Sequence, residues 1–161
     1  MNLKEILEKH IKWLNDEHNG EKANLRGADL SNTNLSDADL RYANSSDANL
    51  SDTDLSGADL SYANLRCANL RCADLRDANL RFADLSDADF RGADLRDANL
   101  RFADLRYANL RCANLRCADL RYANLRGANL RGADLSNANT SRVRGMKILN
   151  VDNIGTFGFK K

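Results

Sequence analysis

Residues 93–107 read ADLRD ANLRF ADLRY, three lines of one pattern, Ala-(Asp/Asn)-Leu-(Arg/Ser)-X, and the pattern runs without insertion from Ala23 to Arg142. It fills 24 pentads, beginning with ANLRG and ending in the degraded ANTSR. Ala holds the first position in 22 of the 24, with Thr33 and Thr53 as exceptions, and the third is Leu except at Ser45, Phe90 and Thr140. A period of five suits neither regular element. In an α-helix each five-residue step turns by roughly 500°, which scatters successive leucines around the axis. In a continuous strand an odd period throws them onto alternate faces. A coil that turns a corner every five residues solves both problems, pointing first and third positions inward and the other three outward.

ADLRD, ANLRF, ADLSG and their neighbours resemble the pentapeptide-repeat proteins over three quarters of the chain. The resemblance implies an all-β solenoid, a right-handed quadrilateral β-helix with four pentads per coil and the central Leu and preceding small residue stacked inside. Twenty-four pentads then give about six coils, and at a strand spacing of about 4.8 Å the rod is about 29 Å long. The sequence supports the 20-residue coil independently: fifth-position aromatics Tyr42, Tyr62, Phe82, Phe102 and Tyr122 recur at that interval, and LRDANLRFADL occurs at 75–85 and again at 95–105. Tyr107 breaks the column. The segment YANLRCANLRCADLR, at 62–76 and 107–121, repeats at an offset of nine pentads, so its second copy is rotated by one face.

A solenoid needs caps. Within residues 1–22, Leu3, Ile6, Leu7, His10, Ile11 and Leu14 follow helical spacing and predict an N-terminal α-helical cap with one apolar stripe. Asn2 and Glu5 resemble a capping box, Asn19-Gly20 suits the stop, and Trp13 lies beside the stripe. The repeat occupies 23–142. In 143–161 the pattern dissolves, and Ile148, Val151, Ile154, Phe157 and Phe159 predict a C-terminal cap or dimer contacts. The resemblance implies a homodimer through this end.

The formal charge of +1, from 24 basic and 23 acidic side chains, excludes bulk electrostatic attraction to nucleic acid or membrane. No apolar signal core or spanning segment occurs in the first twenty residues, and Cys67, Cys72, Cys112 and Cys117 suit a reducing compartment as free thiols, so the expectation is a cytoplasmic protein. Between Ala23 and Arg142 there is no His, Lys or Glu. Acid–base catalysis relies on such groups, so the expectation is no enzyme, no cofactor and no metal. The cysteine spacing of five is not that of zinc or redox pairs. His10 and His18 read as helix-face or surface residues. The seventeen Asp residues of the repeat, interleaved with Arg, read as a solvated ion-pair lattice.

Two outer features are candidate interaction surfaces. One is the aromatic column Tyr42, Tyr62, Phe82, Phe102 and Tyr122, which outer-face stacking explains more simply than a ligand does. The other is charge: residues 23–62 carry 2 Arg against 7 Asp, whereas 98–142 carry 8 Arg against 3 Asp, with Arg106, Arg111, Arg116 and Arg121 among the basic set. The reading that covers these facts is a structural module that binds another protein. The resemblance also implies an alternative, a DNA mimic that binds a type II topoisomerase and protects gyrase, but only the first two coils carry the needed negative charge. Nucleic-acid binding by the basic C-terminal coils is a further alternative, against which stand the mixed Asp and Arg.

Overall fold

The computed structural model describes residues 2–145 of the 161-residue chain. Ile148, Val151, Ile154, Phe157 and Phe159 lie outside the described residues. From Asn24 onward, each second-position residue forms a parallel bridge with the residue twenty positions later, in an unbroken series from Asn24–Asn44 to Asn124–Arg144. One turn of the chain therefore takes four pentads. We number the sides 1 to 4 from Ala23, Ala28, Thr33 and Ala38, and the coils I (23–42) to VI (123–142). The ladder carries on past Arg142, because Arg144 still bridges Asn124.

The pentad accounts for all its backbone donors, as 63–67 illustrates. The Ala63 N–H closes a turn onto the Leu60 carbonyl at 3.0 Å, and the Asn64 N–H reaches Ala43 in the preceding coil at 2.9 Å. The Leu65 and Cys67 N–H groups reach Asp84 and Ser86 in the following coil, at 2.8 and 3.0 Å. The Arg66 N–H donates to the Asn64 side-chain Oδ1 at 3.0 Å. The second position is Asp or Asn throughout, because only a short side chain with a terminal oxygen makes this Asx turn.

Each turn puts its fifth-position residue in the left-handed region, as at Asp37 (φ 56°), Tyr62 (φ 60°) and Gly92 (φ 69°). Gly, Asn and Asp tolerate that conformation and β-branched residues resist it. The fifth position accordingly contains no Val, Ile or Thr. The five-residue period and the inward positions do not by themselves reveal this constraint.

Inside, the first-position Ala and third-position Leu are almost all buried, forming one core along the axis. Each Leu contributes roughly 1.5–3 kcal/mol. The departures follow local chemistry. Thr33 and Thr53 share side 3, and both hydroxyls donate to the Leu30 carbonyl, at 2.6 and 2.9 Å. Ser45, between Leu25 and Leu65 on side 1, is buried with 2% exposure.

Helix α1 (Leu3–Leu14) covers coil I. The Asn2 side chain caps it by accepting from the Glu5 N–H at 3.3 Å. It ends earlier than the Asn19-Gly20 reading expects: the chain turns at Asn15 and Asp16 (φ 56°), and Glu21 returns its N–H to the Lys9 carbonyl at 3.0 Å. Gly20 serves close approach instead, since a Cβ there would lie 2.3 Å from the Trp13 nitrogen. The stripe is also narrower than expected: Leu3, Ile6 and Leu7 pack on the core, but Ile11 is exposed.

His10 seats the helix. It is buried, and its Nδ1 accepts the Ala23 N–H at 3.1 Å, which requires a neutral ring with the proton on Nε2. Burial pushes its pKa below the ordinary histidine value; Asp39 and the Arg41 backbone pull upward, while Lys22 and the Arg41 charge push down. Its ring stacks on Trp13 with centroids 5.7 Å apart.

Two outcomes follow. Ser45→Leu should raise the melting temperature by roughly 3–10 °C in thermal dichroism; no rise would show that the column has no room for the side chain. For His10, a folded pKa below the unfolded value of about 6.5 means that its contribution is complete above that pH and is lost as pH falls through the folded value. Emission from Trp13, the sole tryptophan, should hold above about pH 6.5 and change only as the pH falls below it, while the rod's dichroism persists, and His10→Gln should abolish that titration.

Candidate interaction surface

With inner side chains and backbone donors committed to the fold, the surface is written mainly by fourth- and fifth-position residues at four corners. We number each corner after the side that precedes it. Corner 4 carries the aromatic column. Tyr42, Tyr62, Phe82, Phe102 and Tyr122 stack in sequence with centroid separations of 5.1, 4.9, 4.8 and 4.7 Å and interplanar angles no larger than 18°.

Both ends of this ladder are closed. Trp13 meets Tyr42 edge-on at 6.1 Å. At the other end Arg142, next in the column, donates to the Tyr122 hydroxyl at 2.6 Å, with its guanidinium carbon 5.3 Å from the ring centre. Arg81 and Arg101 lie beside Phe82 and Phe102, at 4.6 and 5.6 Å. Each ring thus has a neighbour on either side along the stack. The ladder offers edges to an approaching molecule, and a stacking ligand finds no free face. Stacking at about 0.5–1.5 kcal/mol per pair offsets the cost of holding bulky residues at positive φ.

Charge at the corners follows a local rule. Where a pentad reads Asp-x-Arg, the two side chains pair: Asp39–Arg41 at 2.7 Å, Asp74–Arg76 at 2.5 Å, Asp89–Arg91 at 2.6 Å, Asp94–Arg96 at 2.5 Å, Asp104–Arg106 at 2.6 Å and Asp119–Arg121 at 2.5 Å. The guanidinium partners hold Asp39, Asp74 and Asp119 below the usual carboxylate range. Such exposed pairs contribute up to about 1 kcal/mol each. Where the pentad reads Asn-x-Arg, the arginine lacks that partner. Arg26 and Arg66 reach Asp47 and Asp87 at 3.3 and 3.9 Å, and Arg101 reaches Asp119 at 3.9 Å. Arg71, Arg81, Arg111, Arg116, Arg126 and Arg131 make no ion pair among the described residues.

Arg106, Arg111, Arg116 and Arg121 belong to four successive pentads. Consecutive pentads occupy consecutive sides, so these four surround coil V with one at each corner and cannot meet a flat partner together. Arg106 and Arg121 are also tied to carboxylates, and the sequence reading omitted Arg126 and Arg131. The missed signal was the second-position letter, Asn rather than Asp. The four cysteines are exposed and free, and no cluster of potential metal ligands occurs among the described residues.

The family model for pentapeptide repeats matches residues 21–57, 46–81, 73–111, 83–121 and 113–143. No curated protein matches the chain. Among solved structures, trypsin-treated QnrB1, a plasmid-mediated fluoroquinolone resistance protein, is similar with a TM-score of 0.58 at 24% identity, over 76% of this chain and 67% of that one. That likeness supports the right-handed quadrilateral β-helix. HetL, a pentapeptide repeat protein involved in heterocyst differentiation regulation from the cyanobacterium Nostoc, matches at 28% identity over 89% of this chain and 96% of its own, with a TM-score of 0.26. Rfr23 from the cyanobacterium Cyanothece matches at 30% identity over 76% and 87%, with a TM-score of 0.31. With the motif, the twenty-residue bridge offset and the family match coinciding, the chain belongs to the pentapeptide repeat family.

Proposed function

We propose that the protein is a non-enzymatic interaction module, a rigid rod whose corners present side chains to a protein partner. The observation that carries this reading is the commitment of the interior and backbone donors of the pentads between the two end coils to the fold. What is left to recognise another molecule is a set of regularly spaced Arg, Asp, Ser and aromatic groups on an inflexible frame. Regular spacing favours an extended partner surface, because solenoids bind along their length. Pentapeptide repeat proteins are generally structural or interaction modules.

Imitation of duplex DNA toward a type II topoisomerase is the weaker reading. It requires negative potential along the rod. The acidic excess belongs to residues 23–62, and residues 98–142 carry 8 Arg against 3 Asp.

Corner-by-corner substitution tests the proposal. The fourth-position arginines of one corner at a time are changed to Ser, the residue the repeat itself uses there, and proteins captured from source cells are compared by mass spectrometry. Capture of a specific protein should fall at one or two adjacent corners while melting temperature and dichroism stay within a few degrees of the parent. Equal capture by all four variants would remove the corners from function.

A further inference from the structure

Tyr107 has no place in the aromatic ladder. It sits at corner 1 of coil V with φ 60°, a conformation that disfavours a bulky residue, and it stacks on no other ring among the described residues. It is the most exposed of the large apolar side chains among the described residues, at 59%. Its ring rests on Gly127 in the next coil, where a Cβ would come within 2.5 Å of Cδ1. Beside it a groove of about 280 Å³ is lined by Arg66, Asp84, Ser86, Asp87, Arg106 and Tyr107 itself.

Side 2 of coils V and VI adjoins this corner. Asn109 and Asn129 form its uncharged midline. Arg106 and Arg126 stand along one edge, Arg111 and Arg131 along the other. Arg106 is held by Asp104, but Arg111, Arg126 and Arg131 have no carboxylate within ion-pair distance among the described residues. The fifth-position residues that follow these three are Cys112, Gly127 and Gly132, too short to shield the guanidinium groups.

We infer that side 2 of coils V and VI, with Tyr107 at its edge, binds single-stranded nucleic acid. The three free guanidinium groups contact phosphates, and Tyr107 stacks a base whose polar edge meets Asp84, Ser86 and Asp87 in the groove. Free arginines beside an exposed ring are the combination that single strands require. An acidic peptide would use the arginines and leave the ring and groove idle. A duplex keeps its bases stacked on one another and offers Tyr107 no partner. No step of this inference requires the protein contact proposed above, although the two share the corner arginines.

Fluorescence anisotropy with a labelled oligothymidylate of about twelve nucleotides tests it. Three phosphate contacts predict that log affinity falls with log salt at a slope of about −2. Combining Arg111→Ser, Arg126→Ser and Arg131→Ser should weaken binding at least about tenfold and flatten that slope. Tyr107→Asn, a residue the repeat accepts at this position, should weaken binding about tenfold with the slope unchanged. Arg81→Ser, Arg101→Ser and Arg121→Ser together remove the same charge from corner 4 and should cost under about threefold. Melting curves establish that each variant is folded. The inference is overturned by absent binding at low salt, by equal loss in both triple variants, or by full affinity in Tyr107→Asn. Equal affinity for polyglutamate or for duplex DNA would also overturn it, by assigning the face to polyanions in general.

Discussion

Four of the five backbone N–H groups in a pentad find carbonyls, and the fourth-position N–H, at the corner, finds none. A side-chain oxygen two residues back takes its place, as Asn64 does for Arg66. Much of the repeat follows from that one bond. It fixes Asp or Asn at the second position and stabilises the tight turn that places the fifth residue at positive φ. It also keeps proline out of the fourth position. The fourth position is the second residue of a β-turn, a site that proline's φ would suit, but proline there would remove the donor and leave the Asx oxygen unpaired.

The sequence made the inside legible and left the outside partly hidden. Leu and Ala at fixed positions report directly on burial, because a narrow interior accepts little else. The twenty-residue recurrence of Tyr42, Tyr62, Phe82, Phe102 and Tyr122 likewise revealed the coil length. The helix end was misread because Asn19-Gly20 carries the letters of a stop while Gly20 serves packing against Trp13. His10 appeared ordinary because burial and a bond to Ala23, thirteen residues away, leave no local trace. At the corners, the difference between a tied and a free arginine lies two residues upstream, in a distinction between Asp and Asn that the motif itself treats as neutral.

That distinction changes what net charge means for this molecule. Neutralisation happens within single pentads, so the overall balance of +1 says little about any one surface. Asp104 silences Arg106, whereas Asn109 leaves Arg111 available to solvent. Exchange of Asp for Asn at a second position keeps the Asx bond and the fold while switching an arginine between two states. Surface potential can thereby vary along the rod without disturbing the core.

The aromatic ladder adds a property that the other devices lack. The Asx bond and the Asp–Arg pair are local to a pentad and would travel intact with any duplicated segment, while the inner Ala and Leu fit every side equally well. Gain or loss of one pentad would leave all of these satisfied and shift everything downstream by a quarter turn. The stack from Trp13 to Arg142 would not survive such a shift, since its rings would face corners that hold Asp, Cys or Gly. The ladder therefore carries the phase of the rod: it couples the two ends and admits growth without interruption only in whole coils.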